Sequence, residues 1–138
     1  ANFDEAILLN FDGSVSEGSG ENLFMVKNNE IITPTETDNC LLGITRDSII
    51  EIARKELGLK VIERKIHRSE LYLADEVFLT GTAAHVTSVG SLDNRKIGDG
   101  VIGEITKKLQ KLYFSIVIGN DSIKKNSSYS KWLTSFSI

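Results

Sequence analysis

Three short glycine-containing segments carry the residue types that most readily bind an anion. They are Glu17-Gly18-Ser19-Gly20, Gly43-Ile44-Thr45 and Gly81-Thr82-Ala83. Glycine lets the main chain approach a ligand closely, and consecutive unpaired amides at a turn or a helix start attract negative charge. The second segment directly precedes a predicted helix, so its amides would meet the positive end of the helix dipole. One such segment is usually only a turn, but three in one short chain predict a site for a phosphate or a carboxylate.

Glu17 is the candidate for a second kind of contact. An acid at the end of a strand is usually a solvated turn residue. The functional alternative is a carboxylate paired with a cationic ring nitrogen of a cofactor, because such a pair keeps that nitrogen protonated. Glu21 offers the same chemistry, and residue types alone do not separate the two.

Other common chemistries find little support in the sequence. Cys40 is the single cysteine of the 138 residues, and no His or Lys lies near it in sequence to favour a thiolate. His67 and His85 lie on different predicted elements without a ligand-spaced partner, so we expect no metal site. The pair Asp75-Glu76 is interpreted as a solvated corner before a strand. No glycine is followed by Lys-Ser or Lys-Thr, so no phosphate loop of that type is predicted.

Composition places the chain among folded globular proteins. Hydrophobic residues make up 41% of the 138 positions and charged residues 25%, which predicts one folded domain. The 16 Lys and Arg against 19 Asp and Glu give a formal charge of -3, which argues against nucleic-acid binding. No apolar run approaches the roughly 18 residues of a membrane span, and no signal segment opens the chain. We therefore expect a cytoplasmic protein with neither nucleic-acid nor membrane partners.

Alternating strands and helices would position the three segments. Apolar runs predict strands over 5–10, 23–26, 31–33, 61–66, 77–79 and 85–89. Asn28-Asn29 and Asp93-Asn94 are typical of tight turns. The class predicted is α/β, mixed α and β, with a sheet core flanked by helices. Residues 1–119 would form one domain, and residues 120–138 a polar C-terminal tail.

Three helices are predicted from periodic apolar residues and their caps. Thr45 is the predicted N-cap of the first and Gly58 its stop, and Ser69 is the predicted N-cap of a short second helix. In the third, Val101, Ile105, Leu109, Leu112, Tyr113 and Ile116 fall on one stripe, with Lys107, Lys108 and Lys111 opposite.

In order along the chain, four segments resemble the successive signatures of fold-type IV pyridoxal-phosphate enzymes. The segments are Ser16-Glu17-Gly18-Ser19-Gly20-Glu21-Asn22-Leu23-Phe24, Leu42-Gly43-Ile44-Thr45-Arg46, Glu70-Leu71-Tyr72-Leu73-Ala74-Asp75-Glu76-Val77-Phe78 and Thr80-Gly81-Thr82-Ala83-Ala84. The likeness covers about residues 5 to 119. Within that class, the order of the segments and their residues are most similar to those of branched-chain amino-acid aminotransferases.

The resemblance implies a role for each of the residues singled out. Glu17 would pair with the pyridine nitrogen of pyridoxal 5'-phosphate, helping the ring act as an electron sink. The phosphate would be held by Gly43-Ile44-Thr45 and by Gly81-Thr82, and the substrate carboxylate by the amides of Thr82 and Ala83. The substrates implied are a branched-chain L-amino acid and a 2-oxo acid. The fold implied is a large domain with a barrel-like sheet and flanking helices.

The resemblance also implies an upstream lysine. The Schiff-base lysine of such enzymes lies before the segment matching 5–10, and no lysine here occupies that motif position. We therefore expect the C-terminal portion of an aminotransferase, with the N-terminal domain as its missing partner and with no catalytic residue of its own. Alone it would be inactive, and its uncovered apolar surface would favour a homo-oligomer.

Two departures from the pattern keep alternatives open. His85 stands where many branched-chain enzymes carry an acid, and Ser88 where a proline is usual. A D-amino-acid transaminase or an aminodeoxychorismate lyase would use the same cofactor cradle. The missing lysine is also compatible with a non-catalytic module that binds a phosphate-bearing ligand noncovalently. A purely structural role is the default alternative.

Overall fold

The structure, a computed structural model, describes residues 7–9, 14–18, 21–35, 43–81 and 85–116. Within these ranges ten strands and three helices alternate, which confirms the mixed α and β class. Their order is β1 (Ile7–Leu9), β2 (Ser14–Gly18), β3 (Asn22–Lys27), β4 (Glu30–Thr33), α1 (Ile44–Lys55), β5 (Val61–Glu63), β6 (Ile66–His67), α2 (Arg68–Tyr72), β7 (Glu76–Gly81), β8 (His85–Ser88), β9 (Ser91–Leu92), β10 (Arg95–Lys96) and α3 (Glu104–Phe114). The predicted tail, residues 120–138, lies outside the described residues.

The larger sheet has five strands in the order β5-β4-β3-β7-β8. β4 and β5 run parallel with α1 between them in the chain, and the other neighbours are antiparallel. β3 and β4 form the predicted hairpin. Asn28 and Asn29 at its tip have φ of 53° and 61°, the left-handed conformation that a two-residue type I′ turn needs at both positions.

The smaller sheet has three antiparallel strands in the order β1-β2-β6. The prediction of one strand over 61–66 was wrong, because this segment is divided between β5 of the larger sheet and β6 of the smaller one. Val61 and Ile66 explain the division, since each is buried in a different apolar cluster. β9 and β10 pair around the predicted Asp93-Asn94 turn, where φ is 51° and 64°.

The larger sheet separates two apolar clusters. Side chains alternate along β3, so Leu23 and Met25 face one cluster while Phe24 and Val26 face the other. The helix-side core also receives buried residues of α1 and α3, and its Phe24 and Phe78 rings stack at 4.9 Å between centroids. The sheet-side core lies between the two sheets and includes Val15, Leu23, Met25, Ile32, Ile66, Val77 and Leu79. This arrangement is the barrel-like sheet with flanking helices that the resemblance implied.

The starts of all three helices differ from those predicted. α1 begins at Ile44 with Gly43 as its N-cap, so the prediction of Thr45 as the cap was wrong. α2 has His67 rather than Ser69 as its N-cap. α3 begins at Glu104, and Val101 precedes it with 66% of its surface exposed, so Val101 does not belong to the buried stripe.

The rest of the α3 stripe is confirmed, because Ile105, Leu109, Tyr113 and Ile116 are all buried. Lys107, Lys108 and Lys111 are exposed on the opposite side. None of the helices in the described ranges has the length and apolar character needed to cross a bilayer.

Candidate functional site

The first turn of α1 presents main-chain amides that the helix itself does not use. Gly43 is extended, with φ of -102° and ψ of 153°, and the helical ladder starts with the bond from the Asp47 amide to the Gly43 carbonyl at 3.1 Å. The amides of Ile44, Thr45 and Arg46 precede that bond, as the first amides of any α-helix do. We call these three groups the amide end of α1. It coincides with the positive end of the helix dipole, where an anion is stabilised.

The N-cap residue supplies no acceptor to the amide end of α1, since Gly43 has no side chain. Asp47 is the acid of the first turn, but its exposed carboxylate is directed to the Arg46 guanidinium at 3.6 Å. Main-chain amides without an intrahelical partner need another hydrogen-bond acceptor when they are shielded from water. An external anion is one acceptor that satisfies them.

The other two helices are capped by carboxylates. The Glu76 carboxylate accepts the amide of Ile105 at 3.2 Å and the amide and hydroxyl of Thr106 at 2.8 and 2.7 Å. The interpretation of Glu76 as a solvated corner residue was therefore wrong, because its side chain closes the start of α3. In α2, the Glu70 carboxylate accepts the main-chain amide of His67 at 2.8 Å. Among the described side chains, no carboxylate does the same for Thr45 or Arg46 of α1.

Gly43 brings the start of α1 against the larger sheet. A Cβ at this position would lie 3.0 Å from Oδ1 of Asn22, the first residue of β3, which is closer than nearly all real Cβ contacts. Asn22 is 7% exposed and is paired with Thr80 of β7. Asn22, two residues beyond the first glycine-containing segment, therefore lies against Gly43 of the second.

The third segment reaches the same place through β7. Thr80 pairs with Asn22 on one side and with Val86 on the other, and Gly81 pairs with His85. Because Phe24, Phe78 and Val86 face the helix-side core, alternation puts Asn22 and Thr80 on that face as well. We call Asn22, Thr80 and Val86 the end row of the sheet. It lies beside the amide end of α1.

Thr80 contributes an unsatisfied hydroxyl to this region. Its side chain is completely buried, and its Oγ1 has no hydrogen-bond partner among the described residues. A buried hydroxyl without a partner is costly, so an orphaned one in a folded protein calls for an explanation. A bound polar ligand would supply the missing partner.

Two predicted residues are described only in their main chain, and two not at all. Glu17 lies in β2 opposite Leu8, with its side chain outside the described part of the structure. Ile44 is the first residue of α1, and the main chain is the part of it that the prediction uses. Thr82 and Ala83 lie outside the described residues, between Gly81 and the start of β8.

Arg46 fixes the first turn of α1 in place. Its guanidinium is 3% exposed and donates to the Pro34 carbonyl at 3.0 Å and to the Glu63 carboxylate at 2.8 Å. Pro34 follows β4 and Glu63 ends β5, so the arginine attaches the helix start to two neighbouring strands. A buried cation one residue beyond Thr45 also adds to the positive potential of the amide end.

The last turn of α3 closes the site from the other side. The Tyr113 hydroxyl lies 3.4 Å from Oγ1 of Thr45, and its ring centroid lies 5.8 Å from that of His85. Burial raises the pKa of the Tyr113 phenol above its usual value, and the contact with Thr45 partly opposes that rise. The tyrosine therefore stays neutral and can donate a hydrogen bond.

Sequence reasoning missed Asn22, Thr80, Arg46 and Tyr113 as parts of this region. Asn22, Arg46 and Thr80 lay inside the quoted motifs, which is the signal that could have found them. Tyr113 was placed on an apolar stripe, where its hydroxyl was the one polar atom that needed a partner.

Comparison with known proteins agrees with this geometry. Residues 1–92 match the profile of the family described as amino-transferase class IV. The chain is 58% identical over 132 residues to the probable branched-chain-amino-acid aminotransferase of Aquifex aeolicus, covering 96% of this chain and 41% of that one. It thus spans about two fifths of the length of such relatives.

Solved structures give the same result. The branched-chain amino acid aminotransferase of Escherichia coli matches with a TM-score of 0.79 and 50% identity, over 81% of this chain and 38% of that chain. The corresponding enzyme of Thermobaculum terrenum, in its PLP-form, matches with a TM-score of 0.84 and 40% identity, over 94% of this chain and 40% of that chain.

Proposed function

The chain belongs to the class IV aminotransferase family, and on that premise we propose that it forms the cofactor cradle of a branched-chain amino-acid aminotransferase. The reaction proposed moves an amino group between a branched-chain L-amino acid and 2-oxoglutarate. One observation carries the proposal: the glycine cap of α1 supplies no side-chain acceptor to the amide end, and near it the buried hydroxyl of Thr80 has no hydrogen-bond partner among the described residues. The substrate class is supported by relatives named for it, at 58% and 49% identity.

The residues present fit the phosphate of pyridoxal phosphate. A phosphate dianion needs several donors, and the amides of Ile44 and Thr45 provide two at a positive helix end. Gly43 has no Cβ, and a Cβ at this position would press on the Asn22 side chain beside these amides. We assign Gly81 and Thr82 to the same phosphate, since Gly81 ends β7 next to Thr80 of the end row. The Thermobaculum terrenum enzyme was solved in its PLP-form, which supports this choice of cofactor.

The chain's own residues would orient the cofactor and the substrate. Pyridoxal phosphate, when bound, supplies an electron sink for the bond changes at the amino-acid α-carbon. The Glu17 carboxylate would hold a proton on the ring nitrogen, because an adjacent anion favours the protonated form. The amides of Thr82 and Ala83 would donate to the substrate carboxylate. The phosphate and the carboxylate would thus be held by neighbouring main-chain segments.

The test uses the complete protein encoded by the gene that contains these residues. Its rate of amino transfer to 2-oxoglutarate is measured with L-leucine, L-isoleucine, L-valine and D-alanine, and its rate of cleavage of aminodeoxychorismate is measured separately. Rapid transfer from the three branched-chain amino acids and slow reaction with the other two is the expected result. A well-folded protein that binds pyridoxal phosphate but transfers no amino group would contradict the proposed reaction. Preference for D-alanine or aminodeoxychorismate would move the protein elsewhere in the family.

We carry two further expectations as parts of this proposal, a homo-oligomeric state and a cytoplasmic location. The first is supported by the large apolar side chains that the described surface leaves exposed, namely Leu73, Val101, Ile102 and Phe114. Sedimentation velocity of the complete protein tests it, and a monomer at all concentrations would refute it. Microscopy of the tagged protein in its host cell tests the second.

A further inference from the structure

Tyr113 contacts Thr45 of the proposed phosphate segment and His85, the first residue of β8. Its hydroxyl lies 3.4 Å from Thr45 Oγ1 in the first turn of α1. Its ring packs at 5.8 Å, tilted by 42°, against His85, the first described residue after 82–84. One side chain in the last turn of α3 therefore contacts both the proposed phosphate segment and the residue that begins β8.

Filling space does not explain the hydroxyl of this residue. The neighbours of Tyr113 on the buried stripe, Ile105, Leu109 and Ile116, are aliphatic. A phenylalanine would occupy the same volume without the cost of burying a polar group. With 2% of its surface exposed, Tyr113 bears that cost, so its hydroxyl must be used within the fold.

The direction of the hydrogen bond matters for anion binding. Either oxygen of the Tyr113 and Thr45 pair could donate. An anion at the amide end of α1 attracts the Thr45 proton, which leaves the Thr45 oxygen as an acceptor. The neutral phenol then donates to that oxygen. The bond between the two hydroxyls is long at 3.4 Å and would shorten when Thr45 becomes the better acceptor.

The ring of Tyr113 contacts His85 at the start of β8. His85 has φ of 57°, a left-handed conformation that is uncommon for a residue with a side chain. Its neighbour Val86 is attached to α3 as well, because Gln110 donates to the Val86 carbonyl at 3.0 Å. α3 thus holds the start of β8 by one hydrogen bond and one ring contact.

We propose that Tyr113 is a positioning residue of this site, which orients the Thr45 hydroxyl toward a bound phosphate and holds His85 at the start of β8. This inference rests on the proposed function, and it concerns a residue outside the four motifs. The hydroxyl and the ring have separate effects, which allows two substitutions to test them separately.

The hydroxyl is tested by equilibrium titration of the complete apoprotein with pyridoxal phosphate and with pyridoxal. Tyr113→Phe should weaken pyridoxal phosphate binding by roughly three- to tenfold and leave pyridoxal binding unchanged, because pyridoxal lacks the phosphate. Thr45→Val should have a similar effect, and the double variant should be no worse than the weaker single variant. Tyr72→Phe, at a tyrosine of α2 outside this region, is the matched control and should bind both ligands normally.

The ring is tested by steady-state kinetics. Tyr113→Phe keeps the ring and should leave the KM for leucine unchanged, whereas Tyr113→Leu should raise that KM several-fold. Equal weakening of pyridoxal and pyridoxal phosphate by Tyr113→Phe, or no weakening of either, would overturn the inference while the proposed function stands. Failure of the unsubstituted protein to bind pyridoxal phosphate would overturn both.

Discussion

The starts of α1 and α3 are locally alike and chemically different. Both helices have a glycine N-cap in an extended conformation, with φ of -102° at Gly43 and -80° at Gly103. In neither case does the capping residue supply a side-chain acceptor. At α3 the Glu76 carboxylate takes two amides and a hydroxyl, whereas among the described side chains no carboxylate takes the amides of Thr45 and Arg46 at α1.

This difference shows how one local pattern serves two purposes. A glycine before a helix leaves room for an acceptor, and the acceptor comes from elsewhere. For α3 it comes from β7, about thirty positions earlier in the chain, and the helix start becomes part of the core. For α1 no described carboxylate supplies the acceptor, and the hydroxyl of Thr80, the penultimate residue of the same strand β7, has no hydrogen-bond partner among the described residues. β7 therefore caps one helix at its beginning and lines the candidate ligand site at its end.

The largest effect should come from removing the cap of α3. Glu76→Ala leaves the amides of Ile105 and Thr106 and the buried Thr106 hydroxyl without their acceptor, which should lower the free energy of unfolding by about 3 kcal/mol. Denaturant unfolding of the complete protein measures it. Glu104→Ala, an exposed acid in the same turn, should cost about 0.5 kcal/mol. A loss below about 1 kcal/mol for Glu76→Ala would mean that the cap is not structural.

Replacing the two glycines with alanine should destabilise the protein to different degrees. A Cβ at Gly103 would lie 2.1 Å from the Glu76 carboxyl group and would displace the cap, so Gly103→Ala should cost about 2 kcal/mol of stability. At Gly43 the close atom is the end of the Asn22 side chain, which can shift, so Gly43→Ala should cost less than about 1 kcal/mol.

Ligand binding should show the reverse order. Gly43→Ala should weaken pyridoxal phosphate binding by roughly tenfold, because the new Cβ would press on Asn22 and shift the amides of the first turn of α1. Gly103→Ala, in protein that remains folded, should bind normally. Gly58→Ala provides a control for replacing a glycine away from the site, at a position with φ of 63° and nothing nearby. If Gly103→Ala weakened binding more than Gly43→Ala, the functional contrast between the two helix starts would be wrong.

Local signals were enough to predict much of the fold. The Asn28-Asn29 pair predicted the β3–β4 turn, because left-handed residues at both positions fix its geometry. The 3.6-residue repeat predicted the buried face of α3, including Leu109 and Tyr113. The division of 61–66 between two sheets could not be predicted this way, because Val61 and Ile66 are equally apolar and only the tertiary fold decides which cluster each enters.

The sequence predicted the glycines of the candidate site but not the polar side chains that surround them. Gly43 and Gly81 were predicted from residue type, because glycine permits close approach of the main chain, and as ligand contacts they stay predictions. Thr45 was predicted as a cap because its type suits one, yet Gly43 takes that position and Thr45 turns inward toward Tyr113. The role of Glu76 depends on a helix that starts far along the chain, so a motif read locally suggested only a solvated acid.

A smaller effect on the free energy of unfolding should appear at alkaline pH. It comes from Tyr113, which connects α3 to α1 through its contact with Thr45. Burial raises the pKa of Tyr113 above its usual 10.0 in the folded protein, and the hydrogen bond to Thr45 partly offsets the rise. The neutral phenol therefore contributes stability that is fully present below about pH 10 and is lost as the pH rises toward the folded pKa.

Tyr113→Phe should remove the part of the alkaline loss of stability that comes from the Tyr113 phenol. Above about pH 10 the unfolding free energy of the variant should fall less steeply with pH than that of the unsubstituted protein. Near neutral pH the two should differ little. Parallel stability curves would show that the phenol is not shielded from water, and that α3 does not seal the start of α1.

The smallest effect concerns the third helix start, at α2. The Arg64 guanidinium beside Glu70 lowers the pKa of that carboxyl below 4.5, helped by the His67 amide that it accepts and opposed by its partial burial. A lowered pKa contributes stability that is present above about pH 4.5 and is lost as the pH falls through the folded value. Because Arg64 and Glu70 are 41% and 29% exposed, water screens the pair, and Glu70→Gln should cost only about 0.5 kcal/mol at neutral pH. That difference should disappear as the pH falls through the folded pKa of Glu70, below which both proteins carry a neutral side chain. A difference that persisted in acid would mean that Glu70 acts through its shape rather than its charge, and α2 would then no longer share with α3 a start held by a carboxylate.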